Sequence, residues 1–447
     1  MTTSYNNNFY HIEEKMVAND LSKSFLDAFA AILENSNYGF LVDLYARTSS
    51  KCGRCAVACQ VYQATNDPRD VPCYRTNLLL DIYRRHFTPG GWLSAKIAGH
   101  EPLSDEIIVE MAEVFYRCTA CRRCQIECPL GIDHGLVTHL GRYILSEIGI
   151  APKGLVVSVR EQLQGKTANT SAIPLPALMD NLEFLEEELK DLTGEDIKFP
   201  VDQQGAEYIF YPAVSDYLME ADTLMGNAAI LKAAGISWTI GSQYFDGINY
   251  GLFYSDWVLD QVLQKLLQEK ERLGAKKILI GECGHAARSA NAFAATFSKN
   301  GRPEVVSILE LSHQLIESGK VHLNPSIVKE RVTYHDPCNI ARNGWIIDQP
   351  RQILRSFVPG FVEMTPNGRY NYCCGGGGGL VSLDEIQPFR MEISGKTKAE
   401  QIRATGADIV ATPCANCKKQ LRELMEYNKM PVQVVGVHDL ILRAIEF

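Results

Sequence analysis

The sequence predicts an α+β chain in two parts, a mostly helical first third followed by an α/β domain. Three observations lead there. The 447 residues exceed what one hydrophobic core ordinarily serves, and 46% of them are apolar, enough for more than one core. Before about residue 150, apolar residues recur at helical spacing. After about residue 206, short β-branched and aromatic runs alternate with helical segments.

Taken in order, Leu21 to Leu33 (LSKSFLDAFAAIL), Glu106 to Phe115 and Gly135 to Ile148 carry one-sided apolar stripes and read as helices. The stretch between Cys59 and Cys118 reads as a helical insertion with a loop near Thr88-Pro89-Gly90-Gly91. Residues 152–205 read as a linker, punctuated by Pro152, Pro174, Pro176 and Pro200. Inside it, Asn181 to Leu192 (NLEFLEEELKDL) predicts an acidic helix with a solvated face. The predicted strands are Tyr208 to Tyr211, Lys277 to Ile280, Val305 to Ile308, Arg331 to Tyr334, Asp408 to Ala411 and Val432 to Val435. Helices are expected between them, at Asp256 to Arg272 and Lys396 to Thr405. Such alternation predicts strands that are at least partly parallel. Cys283, Cys338 and Cys414 each fall just past a predicted strand, where α/β domains gather their ligands.

Composition narrows the function. A net charge of −9 argues against nucleic-acid binding, which needs a basic stripe to displace counterions. The longest apolar stretches, such as Leu26 to Leu33, fall far short of the ~20 residues of a spanning helix. The opening MTTSYNNNFYHIEEK has no basic segment followed by an apolar one, so no secretory signal is expected. The expected place is the cytoplasm, or the inner face of the membrane through a partner. In that compartment the 14 cysteines stay reduced and read as metal ligands before they read as disulfides.

Cys118-x2-Cys121-x2-Cys124-x3-Cys128-Pro129 is a complete bacterial ferredoxin signature, in which three cysteines wrap one cubane and the fourth reaches a second. Soft thiolates are what iron requires here, and a zinc knuckle would pair two C-x2-C units without the trailing Cys-Pro. Cys52-x2-Cys55-x3-Cys59 supplies the last three positions of a partner motif, with Ser49 at the first and Gln60 where proline would stand. By the exchange rule Cys59 joins Cys118, Cys121 and Cys124, leaving Cys52, Cys55 and Cys128 for the other cluster. Cys73 is the spare cysteine that would complete it. A three-iron cluster, ligation by Ser49, and Cys73 as a buried apolar thiol remain alternatives. Arg54, Arg117, Arg122 and Arg123 flank these cysteines, either offsetting cluster charge or lying on the surface.

The second group reads Cys338-x34-Cys373-Cys374-Gly375-x38-Cys414-x2-Cys417. Adjacent cysteines make a strained local disulfide but two good ligands for one polynuclear centre. The glycine run Gly375 to Gly379 lacks the Lys-Ser/Thr of a phosphate loop and better suits close backbone approach to a cluster.

This segment, with His335-Asp336-Pro337-Cys338, Cys373-Cys374-Gly375-Gly376 and Thr412-Pro413-Cys414, resembles the cysteine-rich CCG domain of heterodisulfide reductase catalytic subunits. The order of modules is similar to the heterodisulfide reductase protein HdrD, and to DsrK, TmcB, HmcF and BamD-type subunits. The resemblance implies an α+β multidomain fold: a helical two-cluster ferredoxin-like N-terminal domain (1–151), the linker (152–205), and an α/β CCG domain (206–447) built as a pseudo-repeat. It implies two cubane [4Fe–4S] clusters and one non-cubane [4Fe–4S] cluster, the last held by Cys338, Cys373, Cys374, Cys414 and Cys417. The first repeat (206–325) is degenerate. Tyr211-Pro212-Ala213 and Phe245-Asp246-Gly247 stand where cysteines would be, and only Cys283 remains; the second repeat (326–447) is intact. By pseudo-symmetry Cys283 should face the surviving cluster, as a redox-active thiol, an extra ligand or a buried relic. His285 and His335 are candidates to protonate a leaving thiolate.

Two functions follow from the resemblance. In one, the chain is an oxidoreductase subunit acting on sulfur groups, passing electrons through the cubanes to a cluster that reduces or forms a disulfide or trisulfide, small or persulfide-carrying. In the other it is a relay without its own substrate. No flavin or nicotinamide fingerprint is visible, so the expected partners are a flavoprotein, an HdrA-like protein or a membrane cytochrome. A zinc scaffold is a poor third reading for this cysteine pattern.

Overall fold

The computed structural model of the chain describes residues 9–10, 20–97, 102–297 and 301–447. The N-terminal stretch read for a secretory signal lies, apart from residues 9–10, outside the described residues. The fold is mixed helix and sheet, divided into two compact units. Among the described residues no helix is long and apolar enough to cross a membrane.

The first unit comprises Met1–Val156, Phe253–Asp256 and Gly375–Lys396. Its main helices are α1 (Leu21–Glu34), α2 (Tyr38–Thr48), α3 (Pro72–His86), α4 (Asp105–Tyr116) and α5 (His134–Glu147). Each begins where local chemistry permits. The Asp20 carboxylate accepts the Lys23 N–H at 2.9 Å, and Asp133 accepts the Leu136 N–H at 3.0 Å, relieving otherwise orphaned helix donors. Apolar stripes from these helices meet in one core around Phe25, Phe29, Leu80, Met111, Phe115 and Ile144. Gly141 on α5 is required by that packing, since a Cβ there would lie 2.1 Å from the Phe115 ring.

The second unit comprises Val157–Leu252, Trp257–Cys374 and Thr397–Phe447. Its acidic segment forms α6 (Leu175–Thr193), which buries Leu178, Leu182, Leu185 and Leu189 along one stripe and exposes Glu183, Glu187 and Glu188. Two four-stranded parallel sheets follow. The first contains β1 (Tyr208–Tyr211), α7 (Ala221–Ala233), β2 (Trp238–Thr239), α8 (Asp256–Arg272), β3 (Lys277–Ile280), α9 (Gly284–Phe297), β4 (Val305–Ser307) and α10 (Ile308–Glu317). The second contains β5 (Val332–Tyr334), α11 (Asp348–Phe357), β6 (Phe361–Val362), α12 (Lys396–Thr405), β7 (Ile409–Ala411), α13 (Ala415–Tyr427), β8 (Gln433–Val435) and α14 (Val437–Ala444).

The strand orders are β2-β1-β3-β4 and β6-β5-β7-β8, one topology used twice, which is the pseudo-repeat expected from sequence. All pairings within the two sheets are parallel, with Tyr208 opposite Lys277 and Val332 opposite Ile409. Helices cover such sheets on both faces, so β1, β5 and β7 are buried throughout and read as unbroken apolar or aromatic runs. In each sheet the chain direction across the strands reverses between the first and third strands. That reversal opens a crevice at their carboxyl ends. Cys338 follows β5 and Cys414 follows β7, so the topology delivers both to one such crevice.

Candidate functional site

Within the first unit the eight cysteines gather into two groups. Cys59, Cys118, Cys121 and Cys124 lie close together: after burial, Cys118 and Cys121 make the Cys59 thiol harder to ionise, and Cys121, Cys118 and Cys59 do the same to Cys124. Burial is the larger effect, pushing Cys124 well above the ordinary thiol range. Cys52, Cys55, Cys73 and Cys128 line a second hollow together with Ser49 and His134. There the Cys73 N–H points at Cys55 Sγ at 3.3 Å. A hydrogen bond from the Cys55 thiol, with further N–H donors around it, pushes Cys73 down to about 6. The structure therefore brings Cys73 to the three cysteines left without a fourth partner. Ser49 Oγ instead donates to Asn77 Oδ1 at 3.3 Å.

The four arginines flagged in the sequence have other engagements. Arg117 pairs with Asp70 at 2.5 Å, Arg122 with Asp133 at 2.8 Å and Arg54 with Glu127 at 3.8 Å, while Arg123 donates to the Ala58 carbonyl at 2.9 Å. Sequence reasoning missed two buried guanidiniums of this unit, Arg75 and Arg142. Burial alone would lower the Arg75 pKa, but Cys118, Cys59 and Cys124 outweigh it and raise it. Arg142 donates to the carbonyls of Phe115 (2.7 Å), Cys118 (2.6 Å), Gly378 (2.9 Å) and Phe253 (3.2 Å). It ties three chain segments of this unit beneath the Cys118 loop. No local pattern distinguishes Arg75 or Arg142 from surface arginines on a helix, so only the fold reveals them.

The glycine run belongs to the same arrangement. Gly378 has a φ of +67°, and a Cβ on it would lie 2.8 Å from the Cys118 carbonyl oxygen. Backbone therefore meets backbone there: the run expected to approach a cluster approaches the backbone of the Cys118 loop.

In the second unit Cys373, Cys374, Cys414 and Cys417 are buried and Cys338 is partly so. Cys417 hydrogen-bonds through its side chain with both Cys374 and Cys414. One ligand atom each from His335, Cys374 and Cys417 lie within 4.8 Å of one another. Cys414 is the N-cap of α13. A hydrogen bond from Cys417 and the N–H groups of Cys417, Gly284 and Asn416 hold it down to about 7 against burial. Gly284 opens α9, so two helix N-termini converge on this sulfur, one from each repeat. His335 is fully buried, and burial followed by Lys398 drives its pKa well below the usual range, leaving a neutral ring. Its Nε2 has no protein partner.

The loops of the first sheet, read as the degenerate repeat, carry other side chains. Tyr217 packs edge-on to Phe245 at 5.4 Å. Asp246 accepts from Thr170 N–H and Oγ1 at 2.8 Å and from Ile248 N–H at 2.7 Å. Cys283 is buried, its Sγ 3.5 Å from His285 Nδ1, and His285 stacks on Tyr250. The residue after Cys283 touches the intact site: a Cβ on Gly284 would lie 3.5 Å from Cys414 Sγ. Thus His335 joins the surviving cysteines, whereas His285 stays with Cys283 and Tyr250.

Sulfur-only donor sets of this kind fit iron–sulfur clusters. Comparison with known proteins agrees. A 4Fe–4S dicluster domain model matches residues 50–132, and a cysteine-rich (CCG) domain model matches residues 332–422. The chain is similar to an Hdr-like menaquinol oxidoreductase iron–sulfur subunit 2 of Archaeoglobus fulgidus, at 30% identity over 94% of this chain and 83% of the relative. It is 29% identical to an Hdr-like menaquinol oxidoreductase iron–sulfur subunit of Archaeoglobus profundus, over 94% and 82%. Against the D-type component of the dihydromethanophenazine:CoB–CoM heterodisulfide reductase of Methanosarcina barkeri the identity is 26%, over 88% and 93%. With helical ferredoxin-type and α/β CCG units in one polypeptide, the chain belongs to the heterodisulfide reductase-like family of iron–sulfur electron-transfer subunits.

Proposed function

We propose that this subunit carries electrons through two cubane [4Fe–4S] clusters, held by Cys59, Cys118, Cys121, Cys124 and by Cys52, Cys55, Cys73, Cys128. Their destination is a non-cubane [4Fe–4S] cluster held by Cys338, Cys373, Cys374, Cys414 and Cys417. There a disulfide or trisulfide is reduced or formed. When bound, the clusters supply one-electron storage at each position and, at the five-cysteine site, iron that accepts sulfur. The protein's own part is to bury the thiolates away from water, to direct two helix N-termini at Cys414, and to face the sulfurs with a neutral His335. The observation that carries this reading is the meeting of His335 with Cys374 and Cys417, at the carboxyl ends of the central strands.

The electron partners we assign are further redox proteins: a flavoprotein, an HdrA-like protein or a membrane cytochrome. Two relatives are named as menaquinol oxidoreductase subunits, which supports a quinol as the ultimate electron donor. The plugged first repeat favours a second reading, a relay with no substrate of its own, because Tyr217, Phe245 and Asp246 fill the place of a second cluster.

Electron paramagnetic resonance on anaerobically purified protein, with and without thiols, separates the readings. A signal from the oxidised protein that changes with thiol and disappears in Cys414→Ser supports sulfur chemistry. A signal indifferent to thiols leaves the relay, and ferredoxin-type signals alone remove the third cluster.

A further inference from the structure

Lys398 lies on α12 and is fully buried. Its Nζ donates to Asn371 Oδ1 at 2.8 Å, to Gln401 Oε1, and to Met364 Sδ at 3.6 Å. Three acceptors match the three N–H bonds of an ammonium, with no donor placed to meet an amine lone pair. Among the described residues no carboxylate lies within ion-pair distance of it. The other buried lysine of this unit, Lys418, shows the usual solution, with Glu220 at 3.3 Å and Asp216 at 3.9 Å. Asp336, the nearest acid to Lys398 in electrostatic terms, is already held by Arg351 at 2.7 Å and 2.8 Å. A buried charge without a counter-charge is strongly disfavoured, so a charged Lys398 requires compensating negative charge from another group. Burial pushes Lys398 down to about 7, and after Asp336 the groups that oppose this are Cys374, Cys373 and Cys417.

Asn371 connects the ammonium to these sulfurs. Because Lys398 can only donate, Oδ1 of Asn371 must face it. The Nδ2 group then donates to the Asp336 carbonyl at 2.9 Å and to His335 Nδ1 at 3.3 Å. A neutral His335 that accepts at Nδ1 carries its proton on Nε2, which has no protein partner, and one ring nitrogen of His335 lies within 4.8 Å of the Cys374 and Cys417 sulfurs.

We propose that Lys398 is the resident counter-cation of the five-cysteine site, and that Asn371 is the positioning residue that fixes the His335 Nε2–H toward its sulfurs. The inference rests on the reading that this site holds a cluster. Its consequence is electrostatic: a fixed positive charge and an N–H donor favour the more negative, reduced state and the entry of an anionic sulfur.

The test is an EPR-monitored redox titration of the full-length holoprotein. The wild type comes first, because absence of a third signal defeats the cluster reading and this inference with it. Given that signal, Lys398→Met is expected to lower its midpoint, so that at the wild-type midpoint the reduced-to-oxidised ratio falls by about tenfold. The ferredoxin-type signals keep their midpoints. An unmoved third midpoint, or an equal shift of every signal, overturns the inference while leaving the cluster reading intact. Should Lys398→Met fail to assemble the third cluster, Lys398→Arg decides. Recovery of the signal with the charge restored supports the counter-cation, and continued loss despite native iron in the other two clusters overturns it.

Discussion

In the proposed reading, single side chains decide how many clusters the first unit holds. The sequence supplies seven cysteines in recognisable ferredoxin spacing, and an eighth, Cys73, 14 positions past the broken motif. Spacing could not assign it, because the helix that carries it is not part of either motif. In the fold, α3 starts at Pro72, and its first turn brings Cys73 against Cys55. Proline suits that position, since its missing N–H is one the first turn would leave unpaired. Cys73→Ala is therefore expected to lower the iron content by about one cubane's complement or to leave a three-iron signal in the oxidised protein. Iron analysis and EPR on the same sample check this, and unchanged values for both would assign Cys73 to packing alone. The buried arginines act at the same scale by another route. Arg75 faces Cys59, Cys118 and Cys124 with charge, whereas Arg142 acts through geometry, holding carbonyls rather than sulfurs.

At the level of elements, the two repeats differ in the loops after their strands. Both repeats keep the same strand order, but the loop after β2 carries Asp246 where the resemblance expects cysteine. Burial lifts Asp246 to about 6, so at pH 7.5 it is a carboxylate, and every polar group that meets it is a donor. Asp246→Asn would turn an amide N–H₂ toward those donors. The expected loss is about 1–3 kcal/mol, read as a lower urea midpoint at pH 7.5 with unchanged iron content. A variant as stable as wild type would show that the loop needs no charge there. Much of this level was legible in the sequence. The strands from Tyr208, Lys277, Val332, Ile409 and Gln433 stand where β-branched runs place them, because parallel strands buried on both faces need uniform apolar composition. The short strands Trp238–Thr239 and Phe361–Val362 were not legible: two residues are too few to show a period, and their place is set by their neighbours. Lys398 and Asn371 escaped for a related reason. Asn371 stands two positions before Cys373 but outside the cysteine motif, and Lys398 is brought to it by the fold after the glycine run, which no motif records.

For the whole molecule, the path of the chain matters more than its division at any one residue. The first unit is not a contiguous N-terminal piece. It takes Phe253–Asp256 from the turn leading into α8, and Gly375–Lys396 from after the Cys373-Cys374 pair to the first residue of α12. Arg142 gives this a physical basis, since two of its four carbonyl partners, Phe253 and Gly378, come from these later segments. Remove them and a fully buried guanidinium keeps only the carbonyls of Phe115 and Cys118 and the face of the Tyr116 ring, beside the Cys118 loop. A buried charged donor left without acceptors destabilises by several kcal/mol. A fragment of residues 1–156, which contains all eight ferredoxin-type cysteines, should therefore reconstitute less iron per chain than the full protein and lose it faster to a chelator. Arg142→Met in the fragment should then matter little, whereas in the full chain it should bring iron retention down toward the fragment's level. A fragment that loads and keeps two clusters as well as the full chain does would show that the later segments are merely apposed. It would also free the glycine run from any part in holding the Cys118 loop.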